Sequence, residues 1–373
     1  MQNFSMDISE KVSVQLRSLY SRYGYSQFKM NKFEAYDLYA RNKDFLISDQ
    51  VITFTDLNGT LMALKPDVTL SIVKNSKDTP EYLQKLYYAE NVYRAEKGSH
   101  CFKEIMQLGL ECIGLVDDQC LCEVLTLAAE SLLSISETCI LEFSHLGLLS
   151  ELLESIGIPK EMKQSVFKHI GEKNYHELAF DCRSCGIPEE KITVLQQILS
   201  TTGQPDAVLP KLMGMISGIT GTGALEQLLR VVDAIDDSEI KAMLRFDFSV
   251  VDNIHYYNGL VFKGFIQGLP GSVLSGGQYD RLMRKMGRSS DAVGFAVYLD
   301  LLERLETERK AYDVDALVLY DKDTDLKMIG SCCNALRKQG MTVTAQQQIP
   351  ENIRYKQLYR INGSEVELLE NNA

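Results

Sequence analysis

The chain has 373 residues, of which 45% are hydrophobic and 24% charged, and its formal net charge is −12 at pH 7. This length accommodates about two or three domains of ordinary size, and no apolar run approaches the roughly 20 residues that span a bilayer. The acidic balance argues against a protein whose main task is binding a polyanion, because nucleic-acid binding depends on basic surface. Residues 1–7 lack the basic region and apolar block of a signal peptide, so we expect a cytoplasmic protein.

Nine cysteines are scattered between Cys101 and Cys333. Disulfide scaffolds are short, secreted and rich in cysteine, and this chain is none of these. Two close pairs, Cys120 with Cys122 and Cys182 with Cys185, allow a four-thiolate zinc site as an alternative. The irregular separation of the pairs and their helix-like surroundings favour ordinary reduced cysteines. We therefore predict neither a metal site nor a resident cofactor.

The first part of the chain mixes short helices and strands. Apolar residues at helical spacing predict a helix over residues 9–23, followed by a strand over 26–30. Asn58-Gly59 lies between two apolar runs within residues 50–64, which is a strong hairpin signal. Pro66, followed by Asp67 and an apolar run, predicts the start of a helix.

Two long strands, a helical block and a final group of strands follow. The strands cover residues 84–96 and 102–114 and are joined by a polar loop. A helix over 120–133 and a strand over 139–143 precede residues 146–241, where leucine, isoleucine and methionine recur at helical spacing. Beyond this block we predict, in order, strands over 244–251, 255–265 and 272–274, a helix over 279–286, a strand over 292–297 and a helix over 299–310.

The tail has the pattern of a small α/β unit. We predict a strand over residues 315–320, a helix over 325–339, a strand over 341–345 and a hairpin around Asn362-Gly363. The expected division is a core of residues 1–145 and 242–310, a helical insertion of 146–241 and an abbreviated C-terminal domain of 311–373. Strand-rich halves interrupted by helices suit an α+β fold with an antiparallel sheet flanked by helices.

Polar residues follow one face of the long hairpin. Gln107, Gly109 and Glu111 alternate with apolar residues on the second strand, and Arg94 belongs to the first. Arg94 could hold a carboxylate and Glu111 an ammonium group, which together suit a zwitterionic amino acid. Taken by itself, this pattern is better explained by a surface ion-pair ladder across the hairpin.

The hairpin resembles motif 2 of the class II aminoacyl-tRNA synthetases. Further segments resemble, in family order, the synthetase pattern Leu-Arg-Pro-Glu-Gly-Thr, the two histidine-specific segments and motif 3 of histidyl-tRNA synthetases. They are Leu64-Lys-Pro-Asp-Val-Thr69, residues 253–262, Ser275-Gly-Gly-Gln-Tyr-Asp280 and Ala292-Val-Gly-Phe-Ala-Val-Tyr-Leu299. Each match is short, but the ordered set extends over roughly residues 1–305 and implies a class II synthetase-like core.

The resemblance implies a histidine pocket lined by nine residues: Asp67, Thr69, Arg94, Gln107, Glu111, Tyr256, Tyr257, Gly276 and Gly277. The two glycines, which carry no Cβ, would let the backbone approach the ligand closely. The alternative for the tyrosines is core packing with tethered hydroxyl groups. The alternative for the glycines is a tight turn from strand to helix.

Three positions depart from the synthetase pattern. Asp252 stands where the family has its histidine-specific catalytic arginine, Lys103 is the nearest counterpart of the motif 2 loop arginine in a loop one residue shorter, and Asp300-Leu301 replaces Glu-Arg at the end of motif 3. Activation of an amino acid by ATP needs cations over the developing negative charge. We therefore predict that the chain has no catalytic residues and does not aminoacylate tRNA.

This profile resembles the synthetase-like regulatory subunits of ATP phosphoribosyltransferase, the first enzyme of histidine biosynthesis. The resemblance implies a short catalytic partner subunit in a hetero-oligomer, expected to be a hetero-octamer, with self-association as a synthetase-like dimer. It also implies activation of the partner and feedback inhibition by L-histidine. The tail resembles at most the first half of an anticodon-reading domain, so neither tRNA nor a membrane is an expected partner.

Two other functions remain as alternatives. One is a divergent but active histidyl-tRNA synthetase, and the other is a free-standing paralogue that senses histidine. Within the regulatory-subunit hypothesis, histidine could bind at a subunit boundary instead of in the pocket. Phosphoribosyl transfer by this chain itself is not expected, because no acidic pair precedes a small-residue phosphate loop.

Overall fold

The computed structural model describes residues 7–46, 50–95, 101–251, 256–305, 312–363 and 365–372. Asp252, on which part of the predicted loss of catalysis depends, lies outside these residues, as do His255 and the predicted loop at 97–100. Contacts group the chain into two compact units, one spanning Ile8–Leu305 and the other containing the described residues from 312 onward. Within the described ranges, no helix is both long and apolar enough to cross a membrane.

The elements before the helical block largely match the predictions. In chain order they are α1 (Ile8–Arg22), β1 (Ser26–Gln27), β2 (Phe33–Ala35), α2 (Tyr36–Arg41), a 3-10 turn (Lys43–Phe45), β3 (Thr53–Thr55), β4 (Leu61–Leu64), α3 (Thr69–Asn75), β5 (Gln84–Ala95), β6 (Phe102–Gly114), α4 (Asp118–Leu133) and β7 (Cys139–His145). The strand predicted over 26–30 is only two residues long, and its bonding to β5 ends with the N–H of Phe28, which donates to the carbonyl oxygen of Tyr87 over 2.8 Å. The hairpin at Asn58-Gly59 is confirmed: β3 and β4 pair antiparallel, and Gly59 has the positive φ of +83° that the turn requires.

The block over residues 146–241 is helical, as predicted. It comprises α5 (Leu146–Ile156), a 3-10 turn (Lys160–Met162), α6 (Lys163–Gly171), α7 (Tyr175–Ser184), α8 (Glu189–Leu199), α9 (Pro205–Ile216), α10 (Gly223–Asp233) and α11 (Ser238–Met243). The apolar residues of these helices pack into the first of the two cores described below. The contacts group this block with the rest of the first unit, so its status as a separate insertion stays a prediction.

The strands after the block differ most from expectation. They and the helical segments between them are β8 (Leu244–Phe246), β9 (Leu260–Ile266), β10 (Ser272–Gln278), α12 (Asp280–Lys285), β11 (Asp291–Tyr298) and a 3-10 segment (Leu299–Leu305). The strand predicted over 244–251 ends at Phe246, because the carboxylate of Asp247 accepts the N–H of Ser249 and turns the chain. The strand predicted over 272–274 continues to Gln278, since Gly276 and Gly277, beyond its predicted end, pair with strands on both sides.

An eight-stranded sheet organises the first unit, with the order β1-β5-β6-β11-β10-β9-β7-β8. Neighbours are antiparallel except for the outer pairs β1–β5 and β7–β8. One face packs against α1, α4 and the helical block through residues such as Leu108 and Leu110 of β6. The opposite face of β6 carries Gln107, Gly109 and Glu111, as the period of two predicts. The sequence-based α+β fold, with an antiparallel sheet flanked by helices, is confirmed.

A second core lies on the Glu111 side of the sheet. It contains the buried apolar residues of α3 together with Tyr39, Tyr88, Tyr256 and Tyr279. Beside it, β2, β4 and β3 form a small three-stranded antiparallel sheet in that order. The polar site described below is therefore enclosed by α3, the large sheet and aromatic side chains.

The second unit is a small α/β structure, as predicted for the tail. It comprises β12 (Val314–Leu319), α13 (Leu326–Lys338), β13 (Val343–Gln346), β14 (Tyr355–Asn362) and β15 (Glu365–Asn371). The strand order is β13-β12-β14-β15, with β14 and β15 joined as an antiparallel hairpin at Asn362-Gly363. α13 packs on the sheet face that carries Ala316, Val318 and Ile361.

Candidate functional site

A cavity of about 620 Å³ opens on the Glu111 face of the large sheet. This volume is within the usual range for small-molecule sites. The lining side chains are contributed by α3, β5, β6, β10, β11, the 3-10 turn after α2 and the residues that precede β9. They include seven of the nine predicted pocket residues: Asp67, Thr69, Arg94, Gln107, Glu111, Tyr256 and Tyr257.

Gly276 and Gly277 lie on β10 and are not among the residues that line the cavity. A Cβ on Gly276 would overlap the carbonyl oxygen of Gly294, and one on Gly277 would lie 2.6 Å from the carbonyl oxygen of Leu260. Crowding by the neighbouring strands therefore accounts for glycine at both positions. Their predicted role in admitting a ligand to the backbone stays a prediction.

Glu111 is the buried acidic centre of the cavity. Its side chain is held at both oxygens: Thr69 Oγ1 donates to Oε1 and Tyr279 Oη donates to Oε2, each over 2.7 Å. Burial raises the pKa of Glu111 to about 8, although the two hydroxyl donors favour the ionised form and lower it. A cationic group placed beside Glu111 would favour the carboxylate further, so this position suits the positive end of a ligand.

Asp67 and Arg94 form the second charged pair of the cavity. Asp67 Oδ1 accepts the N–H of Leu70 over 2.9 Å in the first turn of α3, while Arg94 Nε donates to the carbonyl oxygen of Pro66 over 2.7 Å. Arg94 Nη2 lies 4.0 Å from Asp67 Oδ2, which is long for an ion pair. Burial raises the pKa of Asp67, and Arg94 offsets part of that rise. The guanidinium is thus held in place by the carbonyl oxygen of Pro66. The Asp67 carboxylate is too distant to occupy its remaining N–H donors.

Aromatic rings form one wall of the cavity. The ring centroid of Tyr256 lies 4.8 Å from that of Tyr257, 5.7 Å from that of Tyr279 and 6.1 Å from that of Phe45. Burial raises the pKa of Tyr256 and of Tyr279 well above the ordinary value, so both phenols are neutral donors. Tyr256 belongs to the second core and also lines the cavity, while its predicted role at a ligand stays a prediction.

The comparisons with known proteins agree with this geometry. The family model for histidyl-tRNA synthetase matches residues 5–302. The chain belongs to the histidyl-tRNA synthetase family. The class II synthetase-like fold predicted from the sequence is thereby confirmed.

Individual relatives are named as regulatory subunits of ATP phosphoribosyltransferase. The chain is 26% identical over 310 residues to the ATP phosphoribosyltransferase regulatory subunit of Oceanobacillus iheyensis, which covers 82% of this chain and 76% of that protein. An ATP phosphoribosyltransferase regulatory subunit/histidyl-tRNA synthetase from Bacillus halodurans has a similar structure, with a TM-score of 0.73, 24% identity and coverage of 93% of this chain and 92% of that one. A chain of the ATP phosphoribosyl transferase (HisG:HisZ) complex from Thermotoga maritima gives a TM-score of 0.61 at 22% identity, covering 79% and 98% of the two chains. The two structural likenesses show the fold.

Several lining residues were not predicted. Tyr279, Tyr88, Ser275 and Tyr298 all line the cavity, and the last two join their hydroxyl groups over 2.7 Å. Tyr279 lies within the histidine-specific segment 275–280 that resembles the family, so that segment offered a signal for it. Tyr88 belongs to a strand with no polar pattern around it, and the sequence gives no signal for its place in the cavity.

Gly294 is a further residue that the sequence-based prediction missed. It lies on β11 directly opposite Glu111, and a Cβ there would overlap Glu111 Oε2. Glycine is therefore required for the Glu111 side chain to lie across β11 and reach Tyr279. A glycine inside a predicted strand commonly marks such a close approach, and this was the available signal.

One end of the cavity carries the residues of the 3-10 turn after α2. Lys43, Asp44 and Leu46 line it there. Asp44 Oδ2 pairs with Lys285 Nζ over 3.0 Å, and the same Nζ lies 4.9 Å from the centroid of the Phe45 ring. These contacts tie the turn to α12, and hence hold one wall of the cavity against the segment that carries Tyr279.

At the end of motif 3 the family's arginine is replaced by the neutral Leu301, while the preceding acidic position is kept as Asp300. Asp300 is partly buried, and this burial raises its pKa, while Lys103 opposes the rise from nearby. Among the described residues that line the cavity, the cations are Arg94 and Lys43, against the carboxylates Asp44, Asp67 and Glu111. This balance suits a ligand with a positive group better than a polyphosphate.

The cysteines considered as zinc ligands are free thiols. Cys120 and Cys122 belong to α4, whereas Cys182 belongs to α7 and Cys185 follows it. In the part of the chain that the structure describes, no group of three or more histidine, cysteine, aspartate or glutamate side chains is placed to hold a metal ion.

Proposed function

We propose that this chain is a non-catalytic regulatory subunit of ATP phosphoribosyltransferase, acting in the first step of histidine biosynthesis. Relatives along most of its length are named as such subunits, and a protein of similar fold comes from an ATP phosphoribosyl transferase complex. The observation that carries the proposal is a cavity that brings the amino-acid-binding groups Arg94 and Glu111 together, in a chain where Leu301 stands in place of the motif 3 arginine. Binding of histidine is thereby separated from its activation.

The catalysis belongs to a separate short subunit in this proposal. That subunit transfers phosphoribose from phosphoribosyl pyrophosphate to ATP, and the present chain is needed for its full activity. The two kinds of chain form a hetero-oligomer, proposed to be a hetero-octamer, in which this chain also self-associates as a synthetase-like dimer. A cytoplasmic location and the absence of tRNA binding belong to the same proposal.

L-Histidine is the ligand proposed for the cavity. Its carboxylate would be held by Arg94, whose guanidinium Asp67 does not saturate, and a cationic group would lie beside Glu111. The tyrosine wall around Tyr256 supplies neutral phenols and ring faces for the imidazole. Feedback inhibition then follows if histidine binds one global state of the complex more tightly than the other.

The test is phosphoribosyl-ATP formation by the catalytic subunit of the same organism, measured with and without this chain across a histidine titration. We expect activation on mixing and inhibition by histidine. The double variant Glu111→Gln with Arg94→Ala should still activate but should lose inhibition. An unchanged rate on mixing, together with separate migration of the two chains, would contradict the regulatory role. Inhibition that survives the double variant would instead move the histidine site to a subunit boundary.

A divergent histidyl-tRNA synthetase is the second candidate, because the family's amino-acid pocket is largely retained. Histidine-dependent exchange of pyrophosphate into ATP discriminates between the two. We expect no exchange above background. The motif 2 arginine has only Lys103 as its nearest counterpart, and Asp300-Leu301 replaces Glu-Arg at the end of motif 3. Clear turnover would make the chain an enzyme and reject the non-catalytic proposal.

A further inference from the structure

The loop before β11 is bound to the segment after α3 through one carboxylate, Asp78. Ser289 donates its N–H and its hydroxyl hydrogen to Asp78 Oδ2, each over 2.9 Å. Ser290 donates its N–H and its hydroxyl hydrogen to Oδ1 over 3.0 and 2.6 Å. The Ser290 hydroxyl and the two N–H groups lower the pKa of Asp78, which is therefore ionised at neutral pH. Hydrogen bonds to an ionised acceptor are the stronger kind, so Asp78 fixes this loop to the segment after α3.

Two arginines hold the same loop. Arg284 Nη1 donates to the successive carbonyl oxygens of residues 288–290 over 2.6–3.2 Å. Arg288 Nη2 donates to the carbonyl oxygens of Val73 and Lys74 over 3.1 and 3.2 Å. These carbonyl groups belong to the last turn of α3, where a helix has no partners of its own for them. The loop is thus bound near the end of α3 at two points.

The start of β11 connects the loop to the cavity. Ala292 lies two residues beyond Ser290, and its carbonyl oxygen accepts the N–H of Tyr279 over 2.9 Å. The N–H of Ala292 donates to Asp280 Oδ1 over 3.0 Å. Tyr279 in turn donates its phenolic hydrogen to Glu111 Oε2. A shift of the loop would therefore move the backbone from which the Tyr279 side chain reaches Glu111.

The contacts return to Glu111 through α3. Thr69, the first residue of α3, donates to Glu111 Oε1, and Asp78 follows shortly after α3 ends at Asn75. The contacts therefore close a ring, whose members in order are Glu111, Thr69, α3, Asp78, Ser290, Ala292 and Tyr279. Asp78 lies opposite Glu111 in this order and is not among the residues that line the cavity.

A closed ring constrains its members more than the same contacts do when one of them is missing. Once a link is broken, the remaining elements form an open chain, and the group at the far end gains conformational freedom. Glu111 is such a group, because its two donors belong to different elements, α3 and the segment before α12. A ligand that must order a loosened carboxylate binds more weakly, since that ordering costs free energy. The ring therefore pre-organises Glu111 for its ligand.

We propose that Asp78 is a positioning residue for the candidate ligand site: by closing the ring, it holds Glu111 between Thr69 and Tyr279 without touching the ligand itself. This inference rests on the proposed function, in which L-histidine binds in the cavity. It extends the site to a carboxylate that does not line the cavity.

Calorimetric titration of the full-length chain with L-histidine at pH 7 tests the role of Asp78. In Asp78→Ala the ring opens, and we expect the dissociation constant to rise about tenfold, within the roughly 2- to 30-fold range of effects carried through contact networks. Asp237→Ala is the matched control, because Asp237 accepts two backbone N–H groups over 2.8 and 3.2 Å at the start of α11 and does not line the cavity. Its histidine affinity should equal that of the wild type even where its melting temperature falls. An unchanged dissociation constant in Asp78→Ala would overturn the proposal.

A double-variant cycle with Tyr279→Phe separates positioning from a general loss of stability. Tyr279→Phe opens the same ring at its bond to Glu111, so a second opening at Asp78 has little constraint left to release. We expect Asp78→Ala to weaken histidine binding less than about threefold in the Tyr279→Phe background, against about tenfold in the wild type. A full tenfold loss in both backgrounds, about 100-fold together, would mean that Asp78 acts independently of the ring and would reject the positioning role.

Asp78→Asn provides the same test if Asp78→Ala does not fold. The amide oxygen of asparagine still accepts from one serine, whereas its NH2 group cannot accept from the other. We expect a smaller rise in the dissociation constant, about threefold, that again disappears in the Tyr279→Phe background. A rise of equal size in both backgrounds would contradict the proposal.

The wild-type titration separates this inference from the proposed function. A wild type that binds no histidine contradicts the proposed ligand, and the positioning role falls with it. Wild-type binding that survives unchanged in Asp78→Ala overturns the positioning role alone and leaves the regulatory proposal to the phosphoribosyltransferase assay.

Discussion

Tyr279 donates its phenolic hydrogen to Glu111 Oε2 over 2.7 Å, across 168 residues of sequence. The bond joins the histidine-specific segment of this family to the second strand of its long hairpin. Thr69 completes the arrangement from α3, so one carboxyl group connects three distant parts of the chain. A buried polar network of this kind is stable only when each member has its partner.

Removing the Tyr279 hydroxyl should weaken histidine binding. In Tyr279→Phe the ionised form of Glu111 loses one of its two donors, so the pKa of Glu111 rises further and fewer molecules carry the anion that pairs with a ligand cation. We expect the dissociation constant for L-histidine, measured by calorimetry at pH 7, to rise roughly tenfold. Tyr23→Phe is a matched control, because Tyr23 donates to Glu130 away from the cavity. An equal loss in both variants would point to a general effect on stability.

The raised pKa of Glu111 also predicts how stability depends on pH. Between its ordinary value of 4.5 and the folded-state value of about 8, Glu111 keeps a proton in the folded protein that it loses in the unfolded chain. Its contribution is therefore complete below about pH 4.5 and is lost as the pH rises to about 8, at no more than about 1.4 kcal/mol per pH unit. Other groups titrate as well, so the informative quantity is the difference between the wild type and Glu111→Gln.

Urea unfolding of the two proteins at pH 5, 6, 7 and 8 measures that difference. The free energy of unfolding of the wild type should fall relative to Glu111→Gln at each step. A constant difference across this range would mean that Glu111 is ionised throughout, in which case its donors outweigh its burial.

The sequence predicted the strands that carry the site better than it predicted where strands end. On the strand that carries Glu111, Gln107, Gly109 and Glu111 alternate with the apolar residues Met106, Leu108 and Leu110, and this period of two predicted which face carries the site. Strand ends were harder to predict. β8 stops where Asp247 captures the N–H of Ser249, and nothing in the alternating pattern of that segment marks the turn.

The missing details depend on distances that a linear pattern does not contain. Gly276 and Gly277 are crowded by the strands on either side, which the sequence did not indicate, and their expected place at a ligand stays a prediction. Gly294 was not among the predicted pocket residues, although it is the glycine that allows the Glu111 side chain to cross β11. Each of these glycines is required by a close approach from a different part of the chain, so only the assembled sheet distinguishes their roles.

Arg94 should discriminate ligands by their carboxylate. Its guanidinium is held by the carbonyl oxygen of Pro66 and lies 4.0 Å from Asp67. It can therefore donate to a ligand carboxylate without breaking a close ion pair. In Arg94→Ala we expect the dissociation constant of L-histidine to rise about 10- to 100-fold, the range for a charged hydrogen bond. Histamine, which lacks the carboxylate, should bind both proteins equally, and this also shows that the cavity is intact. A parallel loss of histamine binding would refute the assignment of Arg94 to the carboxylate.

Gly294→Ala tests whether the position of Glu111 depends on the missing side chain opposite it. A Cβ at residue 294 would overlap Glu111 Oε2 and also press on the carbonyl oxygen of Leu110, so the carboxyl group must leave its place between Thr69 and Tyr279. We expect a lower melting temperature, from overpacking that commonly costs about 1–3 kcal/mol, and a loss of histidine binding at least as large as in Tyr279→Phe. Gly330→Ala is the matched control, because a Cβ there meets open space on α13 and alanine favours the helix. Its melting temperature should stay the same or rise, and its histidine affinity should equal that of the wild type. If Gly294→Ala binds histidine as well as the control does, the carboxyl group is not held where the ligand needs it, and Glu111 loses its assigned role.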